Sequence, residues 1–324
     1  MLTNHRLLDL FWSCQRIRMI EEAIADRYAE QEMRCPTHLS IGQELAGAAL
    51  GMATTKNDLA VSTHRSHAHY LGKGGNIDSF IAELYGRETG CAKGMGGSMH
   101  LKDEDAGFMA STAIVGNSIP VGVGLALGEK LNKTNNIITI FVGDAVFETG
   151  VFYESLNIAA TFQLPALFIC ENNFYSVYSP LSVRQPEGRA NHKIAESIGI
   201  KTKSIDGMDA AHVLNEMDNA VHYCREACAP FLLEMTAYRW REHCGPNYDN
   251  NIGYREEDEY LEWKSKDYLT SLEVDLKSKK IINDDDIFRK QQSVSDEINA
   301  AFTFAINSDL PSSDRLSFLE YAEK

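Results

Sequence analysis

A run of β-branched and aromatic residues, 137–142 (IITIFV), and a short apolar run, 166–170 (ALFIC), interrupt a chain whose apolar residues are otherwise spaced at helical intervals. Each run is too short for a helix and ends in polar or turn-forming residues, so each is expected to be a strand buried on both faces. Between them Phe152, Leu156, Ala159 and Ala160 fall on one side of a helix, which Pro165 closes. The resulting strand–helix–strand unit predicts an α/β fold, a mostly parallel central sheet with helices on both faces. Gly143 and Asp144 follow the first run, and Glu171, Asn172 and Asn173 end the second. Ligands of open α/β sheets sit outside the carboxyl ends of the strands. Asp144 and Asn173 are therefore candidates to share one small hard cation, of the kind that uses few protein oxygens plus phosphate. Taken locally, the same residues also suit a helix N-cap and a turn.

The remaining pattern fills in the other elements. An apolar stripe of Leu7, Leu10, Phe11, Ile17, Ile20 and Ile24 predicts a helix over 6–33, stopped by Pro36. Ser40, with Gln43 three residues on, predicts a capping box for a small-residue helix reaching Ala53. A short strand from Leu59 leads into His64, Arg65, Ser66, His67 and His69; a helix follows over 76–86. Residues 108–116 read as a loop before a helix with Pro120 in its first turn. Further on, a helix is expected over 190–197, a strand over 202–205, an Asp209-capped helix to Ala227 and a last strand over 231–238. Beyond these lie a charged helix over 254–266, a weakly patterned stretch over 269–290 and a helix from Val294. Residues 1–268 are thus expected to form one domain with a helical N-terminal extension, and 269–324 a charged helical tail suited to clasp another subunit.

Composition narrows the class. A formal net charge of −15 argues against a nucleic-acid partner. No apolar stretch reaches membrane-spanning length, and the N-terminus lacks a secretory pattern, so a cytoplasmic placement is expected. The seven cysteines lack zinc-site spacing and read as free thiols in a reducing compartment.

Gly143-Asp144-Ala145, with Asn172-Asn173 closing the second apolar run, resembles the metal-binding signature of the thiamine diphosphate fold. More specifically it is similar to the alpha subunit of the E1 component of 2-oxo acid dehydrogenase complexes, a group that includes pyruvate, branched-chain 2-oxo acid and acetoin dehydrogenases. The resemblance extends over roughly residues 10–260. It takes in HLSIGQE at 38–44, HRSH at 64–67 (where the family has Tyr-Arg-Ala-His), CAKGMGGSMH at 91–100, Ile114-Val115-Gly116 and RWREHC at 239–244. Ala145 stands where the family has glycine, and strains the backbone only if that position needs φ > 0.

The resemblance implies thiamine diphosphate with Mg²⁺ (or Ca²⁺). Asp144, Asn173 and the Tyr175 carbonyl would ligate the metal, and Gly143, Ala145 and Val146 would flank it. His64 and Arg65 would hold the diphosphate, a task for which the planar donor fork of Arg65 is suited. Ile114, Val115 and Gly116 would face the aminopyrimidine. His243 falls on the catalytic histidine and would also touch the diphosphate, while His67 is placed to face substrate. Cys244 stands where some members carry a phosphorylated serine, so that switch is expected to be absent. Arg241 replaces a usual histidine, and Glu148 a smaller or neutral residue.

The implied reaction decarboxylates a 2-oxo acid, or cleaves acetoin, and passes the acyl unit to a lipoyl group on an E2 protein. The activating glutamate belongs to a separate beta subunit, so an α2β2 heterotetramer is expected and the chain alone should be inactive. The departures at Ala145, His64, Arg241 and Cys244 fit a branch with another acyl donor or a non-lipoyl acceptor. Two other readings stay open: a catalytically inactive structural or regulatory subunit, and a nucleotide-binding dehydrogenase. The latter needs a glycine fingerprint at a strand–helix junction, and CAKGMGG is not so placed.

Overall fold

Six parallel strands form the central sheet of the computed structural model, which describes residues 3–313. They are β1 (Leu59–Ser62), β2 (Phe108–Ser111), β3 (Ile138–Gly143), β4 (Ala166–Asn172), β7 (Lys201–Ile205) and β8 (Phe231–Thr236). A small antiparallel pair, β5 (Tyr175–Ser176) and β6 (Ser179–Pro180), lies apart from it. The helices are α1 (Asn4–Arg27), α2 (Glu44–Ala53), α3 (His67–Gly72), α4 (Ile77–Leu84), α5 (Ser118–Leu131) and α6 (Gly150–Thr161), then α7 (Leu181–Arg184), α8 (Asn191–Ile198), α9 (Ala210–Ala227), α10 (Glu257–Ser265), α11 (Tyr268–Ser278) and α12 (Asp284–Asn307). The sheet order is β2-β1-β3-β4-β8-β7, as expected for an α/β fold with parallel strands and helices on both faces.

The alternation within β3 shows why its sequence is apolar but for Thr139. Ile138, Ile140 and Val142 pack with α5, α6 and α8 on one face, whereas Phe141 joins α1, α2, α4 and α9 on the other. Both cores are apolar, so neither side of the strand tolerates a charge. The C-terminal helices bury a stripe of Leu272, Leu276, Val294, Ile298, Phe302 and Ala305 in the second of these cores, α12 against α4 and α1. Residues 314–324 of the expected tail lie outside the described residues.

Three expectations are corrected. Ser40 does not cap α2: Gln43 occupies the N-cap and makes no side-chain cap bond. Ser40 instead accepts from the Ala68 N–H at 3.4 Å, and Gln43 Oε1 accepts from Asn173 Nδ2 at 3.1 Å, so tertiary partners have taken both capping groups. Residues 108–111, read as loop, form strand β2, whose four residues are too few to show a period. The last helix begins ten residues before Val294, at Asp284, behind a capping box made by Asn283 and Asp286.

The connectivity locates the site. From β1 the chain crosses outward to β2 and then returns past β1 to β3, so the order reverses between β1 and β3. A crevice opens at the carboxyl ends of strands flanking such a reversal. Pairing of Gly143 with Glu171 sets the ends of β3 and β4 level, which brings Asp144 and Asn173 to the same rim.

Candidate active site

A cavity of about 200 Å³ occupies that crevice. Its wall draws Thr63, His64 and Arg65 from the end of β1, Ala113, Val115 and Gly116 from the segment after β2, and Gly143, Asp144, Ala145 and Val146 from β3. Glu171, Asn173, Tyr175 and Val177 come from β4 and its loop, His243 from the loop after β8, and His38 and Gln43 from the approach to α2. Most of the site residues expected from sequence are therefore brought together. Two are not. Ile114 is 65 % exposed and lies outside the wall. His67 is fully buried, with Nδ1 to Glu21 at 2.7 Å and Nε2 to Ser98 at 2.8 Å, so both ring nitrogens are occupied as a strut behind the wall. Arg241 also turns away, donating to Glu22 and to the Pro246 carbonyl.

The floor presents oxygen. Asp144 is buried, and burial pushes its carboxyl up despite an ion pair with Arg184. Asn173 Oδ1 accepts from the Tyr175 N–H at 3.3 Å. The Tyr175 phenol is tied to Glu259 at 2.8 Å, which leaves the backbone as the part of that residue able to serve the cavity. Ala145 is not among the residues with positive φ, so alanine costs nothing in backbone strain there. Asp144 and Asn173 offer hard oxygens of the type Mg²⁺ or Ca²⁺ takes.

The side near β1 presents positive charge. Arg65 is fully buried and donates Nη1 to the Leu39 carbonyl at 2.6 Å and Nη2 to the His243 carbonyl at 3.0 Å. No carboxylate among the described residues pairs with it, and burial with Arg239 nearby lowers its guanidinium to about 10. A buried cation without a counter-ion, facing a cavity, is built for an anion. Around it stand His38, His64 and His243, with ring centroids 4.7–5.3 Å apart. Burial, then the charge of Arg65, lowers these imidazoles to about 2, 4 and 3 respectively, so all are neutral at neutral pH. Their ligand atoms lie within 4.8 Å of one another, close enough to suggest a metal. The Arg65 charge opposes a dication there and favours an anionic group. His38 Nδ1, buried and without a partner, is left to bond it.

Buried neutral imidazoles make a prediction for stability. Their folded values lie below the value near 6.5 of the unfolded chain, so acidification puts protons on the unfolded state first. Their contribution is complete above pH 6.5 and is lost as pH falls toward 4 and below. Urea denaturation should show stability level between pH 7.5 and 6.5 and declining below that by at most about 1.4 kcal/mol per pH unit for each imidazole. His64→Gln should make that slope shallower by roughly one such increment.

The glycine-rich run 91–100 is a wall and not a ligand loop. Its amide N–H groups at Ala92, Gly94, Gly96 and Gly97 converge on the Glu83 carboxylate at 2.6–3.1 Å. Positive φ at Gly94 and Gly97 permits that wrap. Ser98 then meets His67 and the His38 N–H, and Met99 reaches the cavity. Four participants escaped sequence reasoning: His38, Gln43, Glu171 and Arg184. Glu171 is steered by His69, whose Nε2 meets it at 2.8 Å while Nδ1 meets Ser62 at 2.7 Å and the ring stacks on Phe141. For Glu171 the available signal was its place at the end of β4; for His38 and Gln43 it was the 38–44 segment itself.

Comparison with known proteins agrees with this geometry. The family model of the dehydrogenase E1 component matches residues 13–313. The chain is 37 % identical over 300 residues to the pyruvate dehydrogenase E1 component subunit alpha of Rickettsia typhi, covering 93 % of this chain and 91 % of that protein. It is 33 % identical over 313 residues to the mitochondrial subunit of the same name from Pisum sativum, covering 94 % and 76 %. With the corresponding Dictyostelium discoideum subunit the identity is 32 % over 312 residues, covering 96 % and 81 %. Among the described residues no helix is long and apolar enough to cross a membrane.

Proposed function

The chain belongs to the dehydrogenase E1 component family, and from that premise we propose that it is the alpha subunit of a thiamine diphosphate-dependent E1 enzyme acting on a 2-oxo acid or acetoin. The observation that carries this reading is one cavity with a carboxylate and an amide oxygen on its floor and an uncompensated buried arginine on its wall. That donor set fits a metal-bound diphosphate. Asp144, Asn173 and the Tyr175 carbonyl would hold the cation, Mg²⁺ or Ca²⁺; Arg65, His64 and His38 would bond phosphate oxygens. Gly143, Ala145 and Val146 would line the passage, and Val115 and Gly116 would pad the organic part. When bound, the cofactor supplies a carbanion able to attack a carbonyl and an electron sink for decarboxylation.

The chain's own residues supply orientation. His243 is neutral and beside Arg65, so its ring can make a hydrogen bond near the reacting carbonyl. Arg65 fixes it through its backbone carbonyl as well as its ring. Glu171, aimed by His69, can accept a hydrogen bond at the rim.

A partner is part of the proposal. The carboxylates in the cavity wall are Asp144 and Glu171, both at strand ends on the metal side. Neither faces the pyrimidine position by Val115 and Gly116. Outside that position lies exposed apolar surface: Ile114, Val115 and Val121, with Val177, Tyr178 and Val183 across the mouth. Gly124 and Gly128 on α5 have open space where a side chain would stand. A beta subunit seated there would cover this surface and bring the activating carboxylate, giving an α2β2 heterotetramer. A lipoyl-bearing E2 protein is the proposed acyl acceptor. The chain co-expressed with its beta partner should release CO₂ from one member of a 2-oxo acid panel in a thiamine diphosphate-dependent manner. Assembly with tight cofactor binding but no turnover of any 2-oxo acid or acetoin would contradict the proposal.

A further inference from the structure

Arg184 supplies a charge that the proposed chemistry does not use. α7 is one turn in the loop after Asn173, and it carries the Arg184 guanidinium back across the end of β3. There Nη2 donates to Asp144, while Nη1 donates to Glu148 Oε1 at 2.6 Å and Nε to the Ser179 carbonyl at 3.0 Å. Gln185 Nε2 adds a further bond to Glu148 at 3.0 Å. The guanidinium is only 9 % exposed, and Asp144 less so. Arg184 thus satisfies, with its positive charge, the carboxylate assigned above to a cation.

A divalent ion and a guanidinium on one buried carboxylate repel each other. We propose that Arg184 is an intramolecular counter-ion of Asp144 that competes with the cation, so that metal loading and withdrawal of the α7 turn from the end of β3 are a single coupled equilibrium. This rests on the cation reading of Asp144. The segment leading into α7 is suited to movement: Val177 holds a φ of 55°, costly for a β-branched residue. Glu148 then acquires a role. It retains Arg184 when Asp144 is given over to the metal, which keeps the turn tethered at the rim.

The test uses the full chain, Mn²⁺ as the metal and inorganic pyrophosphate as the anion, with affinity read by calorimetry. Arg184→Gln should tighten Mn²⁺ binding about tenfold, the factor expected if the turn is withdrawn about one tenth of the time in the wild-type chain. Arg184→Lys, which keeps the charge but not the fork, should fall between the two. The rise in melting temperature on adding Mn²⁺ and pyrophosphate should be larger for Arg184→Gln than for wild type. The proposal is overturned, with the cation reading intact, if Asp144→Asn loses Mn²⁺ affinity while Arg184→Gln binds no more tightly than wild type. If Asp144→Asn binds Mn²⁺ as wild type does, the cation reading falls and the proposal falls with it.

Discussion

Asp144→Ala, assembled with the beta subunit, is expected to lower cofactor-dependent turnover about a thousandfold, equivalent to roughly 4 kcal/mol of lost charge stabilisation. The effect is large because, on the proposed reading, the cation would neutralise a diphosphate held beside buried Asp144. Arg65 alone cannot replace it. Asn173→Ala should cost less, about a hundredfold, since it removes a neutral ligand. Neither loss should come from unfolding. Asp144 is already held at some expense by burial, and Arg184 keeps Glu148 as a partner when Asp144 is removed. Steady-state turnover and thermal melts on the same preparations separate the two effects. Unchanged turnover in Asp144→Ala would refute the metal assignment.

The second large effect is silence of the isolated chain. Supplied with thiamine diphosphate, Mg²⁺ and a 2-oxo acid, it should show turnover at least about a thousandfold below that of the pair, and titration with beta subunit should restore it. The reason is chemical as much as structural. The wall carboxylates, Asp144 and Glu171, are committed to Arg184 and His69, and the pyrimidine side is lined by Ala113, Val115 and Gly116. Without a carboxylate there, this chain lacks the group that would activate a bound thiamine diphosphate. Robust turnover by the chain alone would contradict this account.

What could be read from the sequence follows from how local each signal is. β3 and β4 were legible because burial on both faces makes a strand apolar at nearly every position, and their ends were legible because Gly143 and the Asn172-Asn173 pair break that run. Asp144 and Asn173 followed from strand ends alone. β2 was missed because four residues, two of them half-buried, carry no period. The first ten residues of α12 were missed because, from Asp284 to Ser293, only Ile287 is buried. Side-chain direction was least accessible. His67 begins a helix whose orientation turns it toward Glu21, and Ile114 turns outward while its neighbour Val115 lines the cavity; spacing cannot tell these apart. Arg184 was invisible as a site residue because its partner Asp144 lies 40 residues away in sequence.

The central claim is that Asp144 and Asn173 grip one and the same cation, and a double-mutant cycle on Mg²⁺-dependent thiamine diphosphate binding to the assembled pair tests it most directly. Calorimetric affinities of wild type, Asp144→Asn, Asn173→Ala and the double variant give the coupling between the two side chains. The account predicts that each single change weakens Mg²⁺-dependent binding strongly and that the double variant loses well under the sum of the two. Losses that simply add, or an Asp144→Asn protein that binds the cofactor like wild type, would contradict it.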